Sequence, residues 1–285
     1  MPGADTAHSA PGRHPRSSLG KVARLYWAFA RVGFVNTLAY RLRYFTGIVT
    51  YFIYVSVYYF IWKAIYEHSA SIEGFDFAHL LTYIGVGWII RSFYFNNIDQ
   101  EIAYQVIEGR LAMDLIKPVN IQLMYVARAA GESIFRLGLL TVPTAVVLFL
   151  VYPLRLPATP GHAAGFLVSV AMSFLIVAAI NFAVGTFALR LQSILGLMRA
   201  KFFLLELFSG LLLPMTFFPH FAQKILALMP FEYISYVPML IYLGKLHGAG
   251  VARAIAIQIF WVAVLLLIGD GLWRWSTRKV IIQGG

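Results

Sequence analysis

The side chains that could do chemistry in this sequence are few: twelve Asp and Glu, seven His and no Cys among 285 residues. Without Cys there is no disulfide, no thiolate metal ligand and no thiol nucleophile. The zinc-protease helix H-E-x-x-H does not occur. Neither does the phosphate-cradling G-x-x-x-x-G-K-[ST], of which "LGKV" and "LGKL" are only partial matches. The chain is therefore expected not to be an enzyme, not to hydrolyse ATP itself and to bind no metal or other cofactor. A potassium-filter TVGYG is also absent. His8 and His14 lie near the N-terminus, and His68, His79, His162, His220 and His247 fall at the ends of apolar runs. That placement fits interfacial histidines better than proton sensors. No paired acid, His–Glu or Ser–His arrangement falls near the middle of an apolar run, which argues against an intramembrane enzyme.

Three ionisable residues lie inside apolar runs: Arg91, Glu206 and Asp270. Such residues are functional candidates by default. Each also has a structural account. Arg91 is about one turn from the end of its run and can snorkel, Glu206 is near Arg199 and Lys201, and Asp270 precedes Arg274 by four residues. Glu206 and Asn181 are the candidate lining of a substrate path, although Asn181 could equally bond across helices.

The longest patterned polar stretch is "EIAYQVIEGRLAMDLIKPVNIQLMYVAR", residues 101–128. Ile102, Val106, Leu111 and Leu115 are placed to bury, while Glu101, Glu108, Arg110 and Asp114 stay polar. Gly109 permits a bend. Pro118 ends the second helical piece, with Lys117 near its negatively polarised end. The pattern is a helix–bend–helix, either solvated on a surface or gripped by a soluble partner.

The elements that must position this stretch are membrane elements. Hydrophobic residues make up 60% of the chain and charged ones 12%, about half the charged share of a soluble domain. The sequence predicts an all-α polytopic membrane protein with six spans, at about 44–62, 79–95, 134–152, 165–189, 202–214 and 254–273, all but the fifth, which breaks at Pro214, near the ~20 residues that cross a bilayer. Residues 1–20, rich in Pro, Gly, Ser and Ala, read as a disordered cytoplasmic tail. Residues 21–43 read as an amphipathic helix lying in the headgroup layer: Lys21, Arg24 and Arg31 share an arc of roughly 80°, opposite Val22, Leu25, Tyr26 and Phe29. Residues 44–285 form the transmembrane domain, with the polar segment at 98–130. Residues 214–244, cut by Pro214, Pro219, Pro230 and Pro238, read as a re-entrant helical hairpin on the outer face. The small residues Ser169, Ser173, Ala179, Ala183 and Gly185 of the fourth span permit close packing.

Lys and Arg set the orientation. Seventeen fall on the side of the N-terminus and five (Lys63, Arg155, Lys224, Lys245 and Arg253) on the other. Both termini and the 98–130 segment are thus expected in the cytoplasm. The net charge of +11 is spread over span ends rather than gathered on one surface, so lipids, not nucleic acid, are its expected partners.

One further observation concerns the run Glu108-Gly109-Arg110-Leu111, followed after three residues by Leu115-Ile116-Lys117-Pro118. It resembles the cytoplasmic signature of ABC-2-type ABC transporter permeases, in which an acidic–Gly–x–Leu and a downstream basic–Pro flank the coupling helix. The helix before the first span, the six spans, the Pro-broken hairpin ("FFPHF", "LMPFEYISYVP", "YLG") and the ending "RKVIIQGG" resemble that family too. Most similar are permeases encoded with an ATPase and a second permease, a group that includes exporters of drugs and viologen-like cations. The resemblance implies an exporter subunit in the bacterial cytoplasmic (inner) membrane, working as a homodimer or beside a second permease. Its partner would be an ABC ATPase dimer holding ATP and Mg. The coupling role would fall on Glu108, Gly109, Arg110, Leu111, Asp114, Leu115, Lys117 and Pro118. Phe217, Phe218, His220 and Phe221 of the hairpin would form an outer gate. The cargo would be a small hydrophobic or amphipathic, drug-like or cationic molecule, a choice the aromatic content also suits. The alternative is a secondary transporter driven by an ion gradient. It would want mid-span carboxylates and broken helices in both halves, and here only one half is broken.

Overall fold

The computed structural model describes residues 18–38, 42–191 and 193–278. The expected tail lies outside them up to residue 17, as does the ending after Arg278. The described residues form helices and connecting turns, with no strand. In order they are α1 (Ser18–Leu38), α2 (Leu42–Tyr66), α3 (Phe77–Tyr94), α4 (Ile98–Ile107), α5 (Leu111–Leu115) and α6 (Ile121–Arg136). Then follow α7 (Val142–Val151), α8 (Pro160–Gly185), α9 (Leu195–Phe208), α10 (His220–Leu226), α11 (Tyr236–Tyr242) and α12 (Ala249–Thr277).

Side-chain caps set several of the helix starts. Asp76 accepts from the His79 N–H at 2.6 Å, Asn120 from Leu123 at 2.9 Å, and Thr159 from His162 at 3.3 Å. Each satisfies one of the N–H groups that a first helical turn leaves without a partner. Pro160 follows its cap at a position where a missing N–H costs nothing.

Helix α3 runs through the middle of the bundle, with thirteen of its 18 residues buried. Around it pack α2, α6, α7, α8 and α11, and α8 in turn lies along α12 and α4. Tyr83, Tyr125, Phe182, Met124 and Ile176 are fully buried at the centre. Four helical stretches are long and apolar enough to cross a membrane: Tyr44–Tyr66, Ile121–Val151, Pro160–Leu189 and Ala249–Thr277. They contain the expected first, third, fourth and sixth spans. The expected second and fifth spans are α3 and α9, of 18 and 14 residues, shorter than the ~20 that cross a bilayer unaided.

Some boundaries differ from the sequence reading, for physical reasons. The helix that holds the expected third span starts at Ile121, not at 134, so residues 121–130 of the polar segment are its first turns. Their charges did not mark a loop; they are paired inside the fold, Arg128 to Glu101 at 3.0 Å. Pro143 does not break this helix. A wide turn, Leu137–Thr141, lets the Val142 N–H reach back to the Leu137 carbonyl, and the helix resumes as α7. The chain leaves α9 at Gly210 (φ +79°), ahead of Pro214. A Cβ there would sit 2.8 Å from the Cβ of Tyr236, so both conformation and space demand glycine.

Helix α1 starts at Ser18 and is more than a float in the headgroup layer. It packs on α6. A Cβ on Gly33 would lie 2.1 Å from the Arg128 carbonyl oxygen, and one on Gly131 would lie 1.7 Å from the Ala30 oxygen. The two backbones therefore cross in direct contact. Val22, Leu25, Trp27 and Val35 remain exposed.

The 214–244 segment is built of short pieces, a 3₁₀ turn (Met215–Phe217) and the seven-residue helices α10 and α11. Its irregular backbone is satisfied from neighbouring helices. The Tyr233 carbonyl accepts from Gln258 Nε2 at 2.8 Å and from the Ser173 hydroxyl at 3.2 Å. Broken backbone survives at membrane depth only when it is partnered in this way.

Candidate functional site

The polar segment folds as α4, a bend and α5, leading into α6. Gly109 supplies the bend at φ +69°, with open space around it. Ile102 and Leu111 turn inward and are buried, as their spacing predicts. Val106 is half-buried. Leu115 is not buried; it is 39% exposed, because α5 is barely more than one turn and ends as the chain turns toward Pro118.

Asp114 reverses its expected place. It is 4% exposed and surrounded by donors: Lys117 Nζ, the Tyr125 hydroxyl at 2.9 Å and, at 3.8 Å, an Arg128 nitrogen. Arg128 also holds Glu101 at 3.0 Å. Burial pushes the Glu101 carboxyl above its ordinary range, with the Arg128 charge pulling the other way. Lys117 and Arg128 both lie over the Phe29 ring of α1, at 6.0 and 5.9 Å. Thus α5 is bolted to α6, and α6 to α4 and α1. A buried carboxylate is tolerable only with such partners.

The outward side of the same segment is apolar. Ile116 is 81% exposed, Ile107 75% and Met113 67%. Beside them Glu108 and Arg110 pair at 3.2 Å, both open to solvent, and Pro118 is exposed. These three apolar residues were missed in the sequence reading. The signal was present: with Ile102 and Leu111 facing in, Ile107 and Ile116, each five residues further on, fall on the other side of their short helices.

Of the two candidate path residues, Asn181 is buried and fully used. Its amide nitrogen donates to the Asn96 carbonyl and side-chain oxygens at 2.7 and 2.9 Å, and its oxygen accepts from Lys201 at 2.7 Å. Lys201 also pairs with buried Asp99 at 2.7 Å. Glu206 is paired with Arg91. Arg91 also reaches the Tyr51 hydroxyl at 3.2 Å and lies over the rings of Trp88, Phe95 and Phe202. Glu206 and Arg91 border a cleft of about 440 Å³ that Tyr51, Tyr54, Trp88 and Phe202 help line. Asp270 pairs with Arg274 at 2.6 Å, the expected one-turn ion pair.

The hairpin residues divide. Phe217 packs edge-on against Trp62 at 5.6 Å, and Phe218 is half-buried. His220 is exposed, and Phe221 is 70% exposed. At that end of the bundle Asp76 meets His79 at 2.9 Å and Arg155 at 3.5 Å. Burial pushes the Asp76 carboxyl up, but the His79 bonds and the Arg155 charge outweigh it and hold it below its ordinary value. Among the described residues no group of three or more His, Asp or Glu could hold a metal ion.

An all-helical bundle with four membrane-length helices, carrying a braced segment with an exposed apolar tip, defines a helical membrane protein. The family description that matches is the ABC-2 family transporter protein, over residues 52–284. The chain belongs to that family, whose members are permeases of ABC transporters, and membership implies association with an ABC ATPase. No curated protein matches the chain.

Proposed function

We propose that the chain is the permease subunit of an ATP-driven exporter and that the α4–α5 segment is the handle through which a separate ATPase moves it. The observation that carries this reading is the contrast within α4–α5. One side is fixed by the Asp114–Lys117–Arg128–Glu101 cluster, and the other offers Ile107, Met113 and Ile116 to solvent. Exposed apolar side chains on a rigid support are what a docking partner buries. ATP and Mg sit on the partner, hydrolysis happens there, and the chain binds no cofactor of its own. In this reading six helices, α3 and α9 included, cross the bacterial inner membrane. The basic bias of the sequence places both termini and α4–α5 in the cytoplasm. The 214–244 hairpin then lies at the outer face, where Phe217, Phe218, His220 and Phe221 lid the exit. Two such chains, or this chain and a second permease, enclose the path of a small amphipathic cargo. Rigid-body motion of the handle interconverts the inward- and outward-open states.

Two experiments on one background test this. The chain has no cysteine, so Met113→Cys carries a unique thiol. That thiol should resist an impermeant reagent on intact cells and react in inverted vesicles; reaction on intact cells overturns the orientation. Met113→Asp with Ile116→Asp should abolish co-purification of the ATPase while leaving the chain folded, since surface changes alter stability by only about 0.5 kcal/mol. Undiminished co-purification overturns the handle.

A further inference from the structure

Helix α9 is attached unlike any other long helix. None of its residues is buried, and its apolar side chains Leu195, Phe203 and Leu204 are largely exposed. Its body meets the rest of the bundle through two ion pairs five residues apart, ring contacts of Phe202 with Phe95 and of Phe208 with Phe231, and the half-buried Leu205. Lys201 reaches Asp99 of α4 at 2.7 Å, with Asn181 of α8 as second partner, and Glu206 reaches Arg91 of α3. Its far end, by contrast, is anchored. Ser209 and Leu211 are buried, the Ser209 carbonyl accepts from the Tyr236 N–H at 2.9 Å, and the Gly210 carbonyl accepts from the buried Tyr83 hydroxyl. Gly210, at φ +79°, is the one left-handed residue at that junction. A helix with no buried residue, tethered by two ion pairs and a few edge contacts and anchored at Gly210, is placed to act as a lever about that residue.

The position of α9 gives this lever a task. Phe202 and Glu206 line the 440 Å³ cleft together with Tyr51, Trp88 and Arg91. Asp99, the partner of Lys201, lies in the first turn of α4, the helix that opens the handle. We propose that Lys201 is a positioning residue for energy coupling: the Asp99–Lys201 pair makes α9 follow α4, and α9, turning about Gly210, widens or narrows the cleft. This rests on the reading of α4–α5 as the handle. Asp99 is 2% exposed and the Lys201 side chain 13%, so the pair is shielded from salt, and a charge left alone there is disfavoured strongly. Asn181 of α8 is locked by two bonds to Asn96, just ahead of α4, and offers Lys201 a second acceptor, so the ammonium ties α9 to α4 and α8 together.

The test uses the purified complex with its ATPase, and spin labels at Leu197→Cys on α9 and Leu123→Cys on α6, both exposed positions. Trapping with Mg-ATP and vanadate should change the distance between the labels. Lys201→Met should abolish that change while the ATPase stays bound and still hydrolyses ATP. The exchange Asp99→Lys with Lys201→Asp should restore it, which a merely structural loss would not. A separate reading needs no partner: in the isolated chain Lys201→Met should sharpen the spectrum of the Leu197 label, as a released helix moves more freely. An unchanged spectrum, or a nucleotide-driven distance change that survives Lys201→Met, overturns the latch. Absence of any ATPase from the preparation instead overturns the handle reading, and is told apart by the label spectrum.

Discussion

Helices α3 and α9 are joined by the Arg91–Glu206 pair, yet they are held in opposite ways. In α3 thirteen of 18 residues are buried; in α9, 14 residues long, none is. α3 is fixed by shape, since its side chains interlock with five neighbouring helices, and close packing permits one arrangement. α9 is held by charge at two points, by backbone at one end and by a few edge contacts of Phe202, Leu205 and Phe208. A packed helix cannot shift without opening voids along its whole length. A charge-tethered helix moves when one pair lets go. On the proposal above, the fold separates its rigid frame from its movable part by the kind of interaction used, not by helix length or hydrophobicity.

Three substitutions break or sharpen this contrast. The largest effect is expected from Leu80→Ala in α3, where the side chain is 0% exposed: about 2–5 kcal/mol of stability should go, read as an earlier transition in denaturing-detergent titrations. Next comes Gly210→Ala, which forces a side chain into a left-handed residue beside Tyr236. A cost of about 1–3 kcal/mol is expected, together with loss of the nucleotide-driven movement of α9. Smallest is Leu204→Ala, on the exposed side of α9, expected to stay within about 0.5 kcal/mol of the parent. If Leu204→Ala proved as costly as Leu80→Ala, α9 would belong to the packed frame and the contrast would be gone.

How much of this could be read from residue order depends on how far apart the partners are. Asp270 and Arg274 sit one turn apart, so their pair was legible. Gly109 and the inward turn of Ile102 and Leu111 follow from local spacing, as do the short helices of the Pro-rich segment. Asp99–Lys201 and Arg91–Glu206 join residues more than a hundred positions apart, and no local pattern announces either. Asp114 was misplaced for the same reason: a carboxylate reads as solvent-facing until Tyr125 and Arg128 are seen to close over it. The Gly33–Gly131 crossing was equally silent. Taken alone, each glycine only weakens its own helix; their value lies in the approach of two backbones.

That crossing has a dynamic consequence. Main chain presses on main chain between α1 and α6, so no side-chain rearrangement can slip between them, and the two helices must travel as one body. Any stroke delivered to α6 then drags along a 21-residue helix with Trp27 and Val35 exposed. With that helix in the headgroup layer, as its sequence pattern predicts, friction there would make the viscosity of the membrane surface a hidden brake on turnover.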